Sequence, residues 1–305
     1  MDISMIVRLT LALFATIGSI VLAGSLLSPH PNVHAAGLTE VPTQTEPLGV
    51  AFDTHNHIWV AEPACDASPT CGPNPPVGDI GEYNTSDSSL VQDFTSPSTP
   101  QQLNPLFDAV DGSGNIWFTD PTHNIIGELI PSNPPVWNSY TVLTPAAAPY
   151  DLTFDNNGNI WFTEQTGNKI GFVDTHVTPP TFVETAVPTP ASLPYGITRT
   201  PNGDVWFAEN GSPKIGSFTP TTNGTITITE HAIGSGLTPP NPHMITSDSS
   251  GHLWYSEGSA GQVGTFNPTD STHKDYPVST GICPTPTGTP TGTPVSCPCL
   301  LYTSP

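Results

Sequence analysis

Five carboxylates share one address in this chain. Glu62, Asp120, Glu164, Glu209 and Glu257 each stand three residues after a tryptophan, namely Trp59, Trp117, Trp161, Trp206 and Trp254. Such groups, brought together in a ring, raise one another's pKa or recruit a cation. The architectural alternative pairs Glu164 with Lys169 and Glu209 with Lys214, braces between neighbouring strands. Recurrence in every unit favours bracing, because a ligand site usually breaks symmetry. His243 does break it. Its counterparts in the other units are Leu48, Leu106, Tyr150 and Tyr195, so one imidazole stands among apolar and aromatic side chains. That composition suits a small amphipathic ligand, a cyclic peptide included; the alternative is a histidine hydrogen-bonded to a neighbouring loop. Tyr150 and Tyr195 join His243 as substrate-binding candidates through their hydroxyls, and are otherwise packing residues. His55 and His57 flank a turn at the opposite end of their unit, and no metal is expected there.

The elements that must position these residues are written in a repeat. Pro105, Pro149, Pro194 and Pro242 are each followed twelve residues later by a tryptophan and ten beyond that by Gly127, Gly171, Gly216 or Gly264. Pro47, Trp59 and Gly81 form a fifth set with an insertion before the glycine. Successive prolines from Pro105 on are 44 to 48 residues apart, a period that suits a four-stranded propeller blade. Within one unit the apolar runs are short and rich in β-branched and aromatic residues, as in Asn159-Ile-Trp-Phe-Thr-Glu164, too short for ordinary helices. Asn157-Gly158 and Asn202-Gly203 fall between the first two runs and predict tight hairpins with positive φ angles. The expected fold is all-β, a β-propeller of four-stranded antiparallel blades with five blades present. A β-solenoid is the rival architecture, with usually shorter repeats. With strands a to d in each blade, the b–c and d–a connections share one end, so the acids and the residues opening each strand a face a ligand together. The repeat tryptophans and glycines read as inter-blade packing.

Residues 1–35 read as a signal peptide: Arg8, an apolar run from Leu9 to Ala23, and Val33-His34-Ala35 as a small-residue cleavage site. An uncleaved anchor is the runner-up. Either way, residues 36–279, the propeller repeats, are expected outside the cytoplasm, in an extracellular or cell-surface protein with no membrane insertion after cleavage. A net charge of −21 argues against nucleic acid as a partner. Cys65 and Cys71 lie inside the insertion of the first unit and are expected to form a disulfide in an oxidising compartment. Residues 280–305 form a Pro/Thr-rich low-complexity tail, whose last residues from Cys299 resemble translated sequencing adaptor. Leu38 to Thr43 read as a d strand with no blade of its own, so the chain is expected to be a fragment of roughly six or seven blades.

The phrases Pro194-Tyr-Gly-Ile-Thr, Gly203-Asp-Val-Trp-Phe-Ala-Glu, Asn168-Lys-Ile-Gly and Pro242-His-Met-Ile-Thr resemble those of the virginiamycin B lyases, the streptogramin lyase family. The resemblance spans residues 38 to 278. It implies a seven-bladed carbon–oxygen lyase that opens cyclic depsipeptides by elimination with Mg²⁺. A His general base takes a proton α to a carbonyl, the metal stabilises the enolate and the ester oxygen departs. His243 occupies the place of the family's substrate-contacting His. The family's catalytic His lies in a Glu-Pro-His phrase; here Glu46-Pro47-Leu48 carries Leu, and Pro63 stands where a second metal-binding Glu is expected. The resemblance therefore brings no catalytic residue and no complete metal site. Two functions are expected on this basis: a secreted lyase-like propeller, monomeric, with a cyclic peptide or other small molecule at its channel mouth and its catalytic blade outside this chain, or a non-catalytic extracellular propeller binding a peptide or glycan. A metal-dependent lactonase is a third.

Overall fold

The computed structural model describes residues 47–63, 78–97, 102–234, 241–257 and 261–277. Every regular element among them is a strand, and they fall into five four-stranded antiparallel sheets. Among the described residues no helix is long and apolar enough to cross a membrane. The signal segment, Leu38 to Thr43, the cysteines and the Pro/Thr tail lie outside the described residues.

The first blade is β1 (Gly49–Phe52), β2 (His57–Glu62), β3 (Asp79–Asn84) and β4 (Leu90–Thr95). The second is β5 (Asp108–Val110), β6 (Ile116–Asp120), β7 (Ile125–Ile130) and β8 (Val136–Thr141). The third is β9 (Pro149–Phe154), β10 (Ile160–Glu164), β11 (Lys169–Asp174) and β12 (Thr181–Ala186). The fourth is β13 (Pro194–Arg199), β14 (Val205–Glu209), β15 (Lys214–Phe218) and β16 (Thr229–Ala232). The fifth is β17 (Pro242–Ser247), β18 (Leu253–Glu257), β19 (Gln262–Asn267) and β20 (Thr272–Pro277). Each is a simple meander in strand order a-b-c-d, the β-propeller blade that the repeat predicts. The chain divides into two compact units, residues 1–154 and 155–305.

In the first unit Trp59 packs with Phe94 of its own blade and with Ile116 and Phe118 of the next. In the second, Trp161 lies with Ile197 and Phe207, and Trp206 with Ile245 and Tyr255, again one blade on. Trp59, Trp161 and Trp206 thus fill the layers between blades. The glycines do something else. Phe118, Phe162, Phe207 and Tyr255, the residues following each Trp, lie opposite Gly127, Gly171, Gly216 and Gly264 in the b–c register. A Cβ at Gly171 would sit 2.0 Å from the Phe162 ring, and one at Gly216 2.1 Å from Phe207. The glycine seats an aromatic ring of its own blade, not the tryptophan of a neighbour. In the first blade the ring is missing from the b strand, where Val60 stands, and Tyr83 of the c strand covers Gly81 instead, 2.6 Å from where a Cβ would be.

The a–b hairpins differ from the expected Asn-Gly turns. In both Asn-Gly dipeptides the glycine alone, Gly158 (φ 84°) or Gly203 (φ 95°), is left-handed, as are Gly114, Gly251 and Asn56 in the other three a–b turns. Gly158 N–H closes a four-residue turn onto Asp155 O at 3.2 Å. The Asp155 carboxylate organises that turn: Oδ1 accepts from Asn157 N at 2.8 Å and Asn159 N at 3.0 Å, while Oδ2 accepts from the Trp161 indole at 3.1 Å. Asp53, Asp111 and Asp248 hold Trp59, Trp117 and Trp254 in the same way. A turn carboxylate six residues before each of these tryptophans therefore satisfies an indole N–H that would otherwise be stranded at a packing interface. In the fourth blade Thr200 takes that place.

Candidate functional site

The b-strand carboxylates end their strands and are buried: Glu62, Asp120, Glu164, Glu209 and Glu257 are each 2 % exposed or less. Their neighbours are of their own blade or of the loop leading into it. Tyr83 donates its hydroxyl to Glu62 at 2.8 Å, and the Ser212 hydroxyl donates to Glu209 at 2.9 Å. Burial pushes Glu164 up to about 8 with Glu184 adding to the rise, and pushes Glu209 and Glu257 up to about 7. The expected lysine braces reach farther than the b strand. Lys169 Nζ is ion-paired with Glu184 at 2.8 Å and Lys214 Nζ with Glu230 at 2.7 Å, both on d strands. Their positive charge offsets part of that rise in Glu164 and Glu209. The lysine thus serves a carboxylate on each side: the register sets Glu209 opposite Lys214, and Glu230, opposite Gly216 two residues along, lies within reach of its long side chain.

Strand a of each blade opens at the same end as these acids. In the second unit, Tyr195 and His243 open β13 and β17, and their rings lie 4.7 Å apart. The Tyr195 hydroxyl accepts from Gln165 Nε2 at 2.5 Å, and its carbonyl accepts from the Thr163 hydroxyl at 2.5 Å. Asn210 Nδ2 contacts Pro242 O at 3.4 Å. Burial holds the His243 imidazole below its ordinary range, so at neutral pH it is an uncharged donor and acceptor. The sequence-predicted pair Tyr195 and His243 is therefore brought together, with Gln165 as a polar partner that the repeat did not signal.

In the first unit Tyr150 opens β9, its ring 5.3 Å from Phe107 and its carbonyl bonded by the Thr119 hydroxyl at 2.7 Å. Thr119 and Thr163 thus tether the residue opening the next strand a in the same manner. Ala208 stands at that position in the fourth blade, so His243 lacks the corresponding threonine. Asp120 departs from the other four acids. Its Oδ2 accepts from Asn104 N at 2.7 Å and meets His123 Nδ1 at 2.7 Å, while Oδ1 accepts from His123 N at 3.0 Å. His123 was not singled out by the repeat; the signal present was Asp where the other units have Glu, three residues before an imidazole.

His57 Nδ1 lies 2.9 Å from Glu82 and 3.2 Å from Asp53 at the a–b end. Among the described residues no group of three or more His, Cys, Asp or Glu is arranged to hold a metal ion. The Cys65–Cys71 disulfide expected in the first insertion lies outside the described residues.

The virginiamycin B lyase family matches residues 85–294. The chain belongs to that family. A crystallised virginiamycin B lyase from Staphylococcus aureus is 26% identical, with 79% of this chain and 71% of that chain covered and a TM-score of 0.61. A periplasmic gluconolactonase of Pseudomonas aeruginosa shares the fold at 13% identity, with 78% and 74% covered and a TM-score of 0.61. No curated protein matches the chain in sequence. The blade of this family is thus shared with propellers named for other chemistry, and the reaction rests on individual side chains.

Proposed function

We propose that this virginiamycin B lyase family member is a secreted propeller that binds a small cyclic peptide, of which virginiamycin B is the type, at the end where strands a open. The observation carrying this reading is the Tyr195–His243 pair. It is a neutral imidazole and a phenol side by side, with Gln165 on the phenol's hydroxyl. An aromatic face with a few fixed polar groups is what an amphipathic ring of amides and esters needs. The family supplies the reaction class, elimination at the ester with Mg²⁺, and Glu-Pro-Leu in place of Glu-Pro-His at Glu46 leaves its usual base unassigned. The described residues do not gather the three or more carboxylate or imidazole ligands that a metal centre of this kind takes, so no step is routed through the metal. Display outside the cell follows from the N-terminal segment.

Binding and chemistry separate cleanly in one experiment. The full chain is titrated calorimetrically with virginiamycin B in Mg²⁺ buffer, and the mixture is followed by mass spectrometry. Saturable binding that His243→Ala weakens tenfold or more, about 1.4 kcal/mol, supports the site. Ring opening with no mass change identifies elimination; a gain of one water identifies the hydrolysis of a lactonase-like propeller. Saturable binding with an intact ring is the non-catalytic module. Wild type that does not bind overturns the reading.

A further inference from the structure

Among the described residues, nine other than glycine have a positive φ. Five of them, Asn56, Ser88, Asn124, Asn168 and Ser271, carry short polar side chains that bond the local backbone and ease that conformation. The other four are Ala146 (53°), Ala148 (51°), Ala191 (53°) and Leu193 (49°), which have neither the freedom of glycine nor a polar group to offset the cost. All four lie in the d–a connectors that open onto Tyr150 and Tyr195. Strain of this kind persists only where the surroundings over-determine the backbone. In the second unit they do. Asn168, in the b–c turn of the third blade, accepts at Oδ1 from Ser192 N at 2.7 Å and from the Ser192 hydroxyl at 3.0 Å, and donates from Nδ2 to Thr189 O at 3.0 Å. Its own carbonyl accepts from Val187 N at 3.0 Å. From the fourth blade, Gly211 N donates to Ser192 O at 2.7 Å and Asn210 N to Leu193 O at 3.1 Å. The connector runs so close there that a Cβ at Gly211 would sit 2.3 Å from Ala191 O. In the first unit Asn124 likewise accepts from Ala147 N at 2.7 Å and donates to Thr144 O at 2.9 Å, ahead of Tyr150. Pro213 and Gly261 hold this place in the fourth and fifth blades, so the clamp accompanies the tyrosines and is not a constant of the repeat.

We propose that Asn168 is the positioning residue of Tyr195: it holds residues 187–193 on a strained path that sets the Tyr195 ring against His243 before any ligand arrives. Only Pro194 separates the strained Leu193 from Tyr195, and its ring fixes its own φ. A rotation released at Leu193 is therefore carried to Tyr195 as a displacement of the whole residue. Thr163 and Gln165 hold the Tyr195 carbonyl and hydroxyl, so three side chains at one end of the third blade place the residue that opens the fourth. Fixing an aromatic face in advance removes an ordering cost that binding would otherwise meet. That Tyr195 meets a ligand rests on the function proposed above; its placement by Asn168 does not.

The test uses the full chain labelled with ε-¹³C-tyrosine. The Tyr195 resonance is assigned with Tyr195→Phe, and affinity for virginiamycin B is measured by calorimetry in Mg²⁺ buffer. Asn168→Gly keeps the left-handed turn and deletes the side-chain bonds. It is expected to shift or broaden the Tyr195 resonance and to weaken binding about tenfold or more. Asn168→Asp keeps the acceptor for Ser192, loses the donor to Thr189, and should fall between Asn168→Gly and wild type. Asn124→Gly removes the matching bonds from the first unit and should leave the Tyr195 resonance in place, which separates positioning from a general loss of stability. If Asn168→Gly fails to fold, Asn168→Asp decides on the same two readouts. An unmoved Tyr195 resonance in the deciding variant overturns the proposal, as does an equal movement in Asn124→Gly. A moved resonance with undiminished affinity upholds the clamp and overturns Tyr195 as a ligand contact. Wild type that does not bind overturns the ligand reading, and the resonance still decides the clamp.

Discussion

In the fourth blade Glu209 lies opposite Lys214, and Lys214 reaches on to Glu230 of the d strand at 2.7 Å. In the first blade Glu62 lies opposite Asp79, and the d strand supplies Asp93 across from Gly81. The registers are equivalent, with an acid on b, a glycine on c and an acid on d, but the lysine position holds a third acid. One oxygen of Asp79 and one of Asp93 are buried with no hydrogen-bond partner among the described residues. Burial, then the charges of Asp93 and Glu62, push Asp79 up to about 8. Tyr83 compensates in part: it covers Gly81 as Phe207 covers Gly216 and donates its hydroxyl to Glu62. One blade neutralises its acids with a cation, the other with a phenol and protons. The repeat thus conserves where charge is placed, while the means of neutralising it varies.

The largest effect separating the two blades is expected at the glycines. Gly216→Ala forces a Cβ to within 2.1 Å of the Phe207 ring, which is fully buried, and should cost about 3 kcal/mol of stability in urea titration. Gly81→Ala meets Tyr83 at 2.6 Å and should cost about 1–2 kcal/mol; equal losses would show that the tyrosine is packed as tightly as the phenylalanine. Next, Lys214→Met leaves Glu209 and Glu230 facing each other without their cation. Because Lys214 is partly solvent-exposed, the expected loss is about 2 kcal/mol at pH 8, shrinking at pH 5 as the carboxyls take up a proton. A loss independent of pH would mean that packing of the lysine stem, not its charge, matters.

The smallest effect carries the pH signature. Asp79, Glu209 and Glu257 are raised to about 8, 7 and 7 by burial first, above the ordinary carboxylate range of the unfolded chain. Groups raised in the folded state contribute stability that is complete below their unfolded pKa and is lost as pH climbs through the folded one. The melting temperature should therefore fall between pH 5 and pH 8. Asp79→Asn should raise stability by at least about 1 kcal/mol more at pH 8 than at pH 5. A melting temperature flat across that window would contradict the protonated first blade.

Legibility followed the kind of interaction. The Pro–Trp–Gly spacing sufficed for the blade and for the inter-blade place of the tryptophans, since both repeat along one stretch of chain. The aromatic ring on each glycine was missed because Phe207 and Gly216 become neighbours only once strands b and c pair. The four turn aspartates carry no signal of their own in the sequence, although each accepts from an indole N–H six residues on. The lysines were assigned to the nearest acid in sequence, yet their ion pairs cross to strand d. Among site candidates, His243 was visible as a break in symmetry, and Asn168 was not, for its value lies in contact with a strained connector.

The sequence by itself determined an all-β propeller blade, five times over, and the positions at which each blade carries acid, aromatic ring and glycine, because short-range spacing dictates strand, turn and strand. The tertiary structure alone decided which acid is charged, which lysine serves which carboxylate, and which histidine is oriented. Those depend on burial and on partners 15 or 16 residues away, as Lys169 is from Glu184, Lys214 from Glu230 and Asn104 from Asp120. Pairing fixes such distances to a few tenths of an ångström, and spacing along the chain does not.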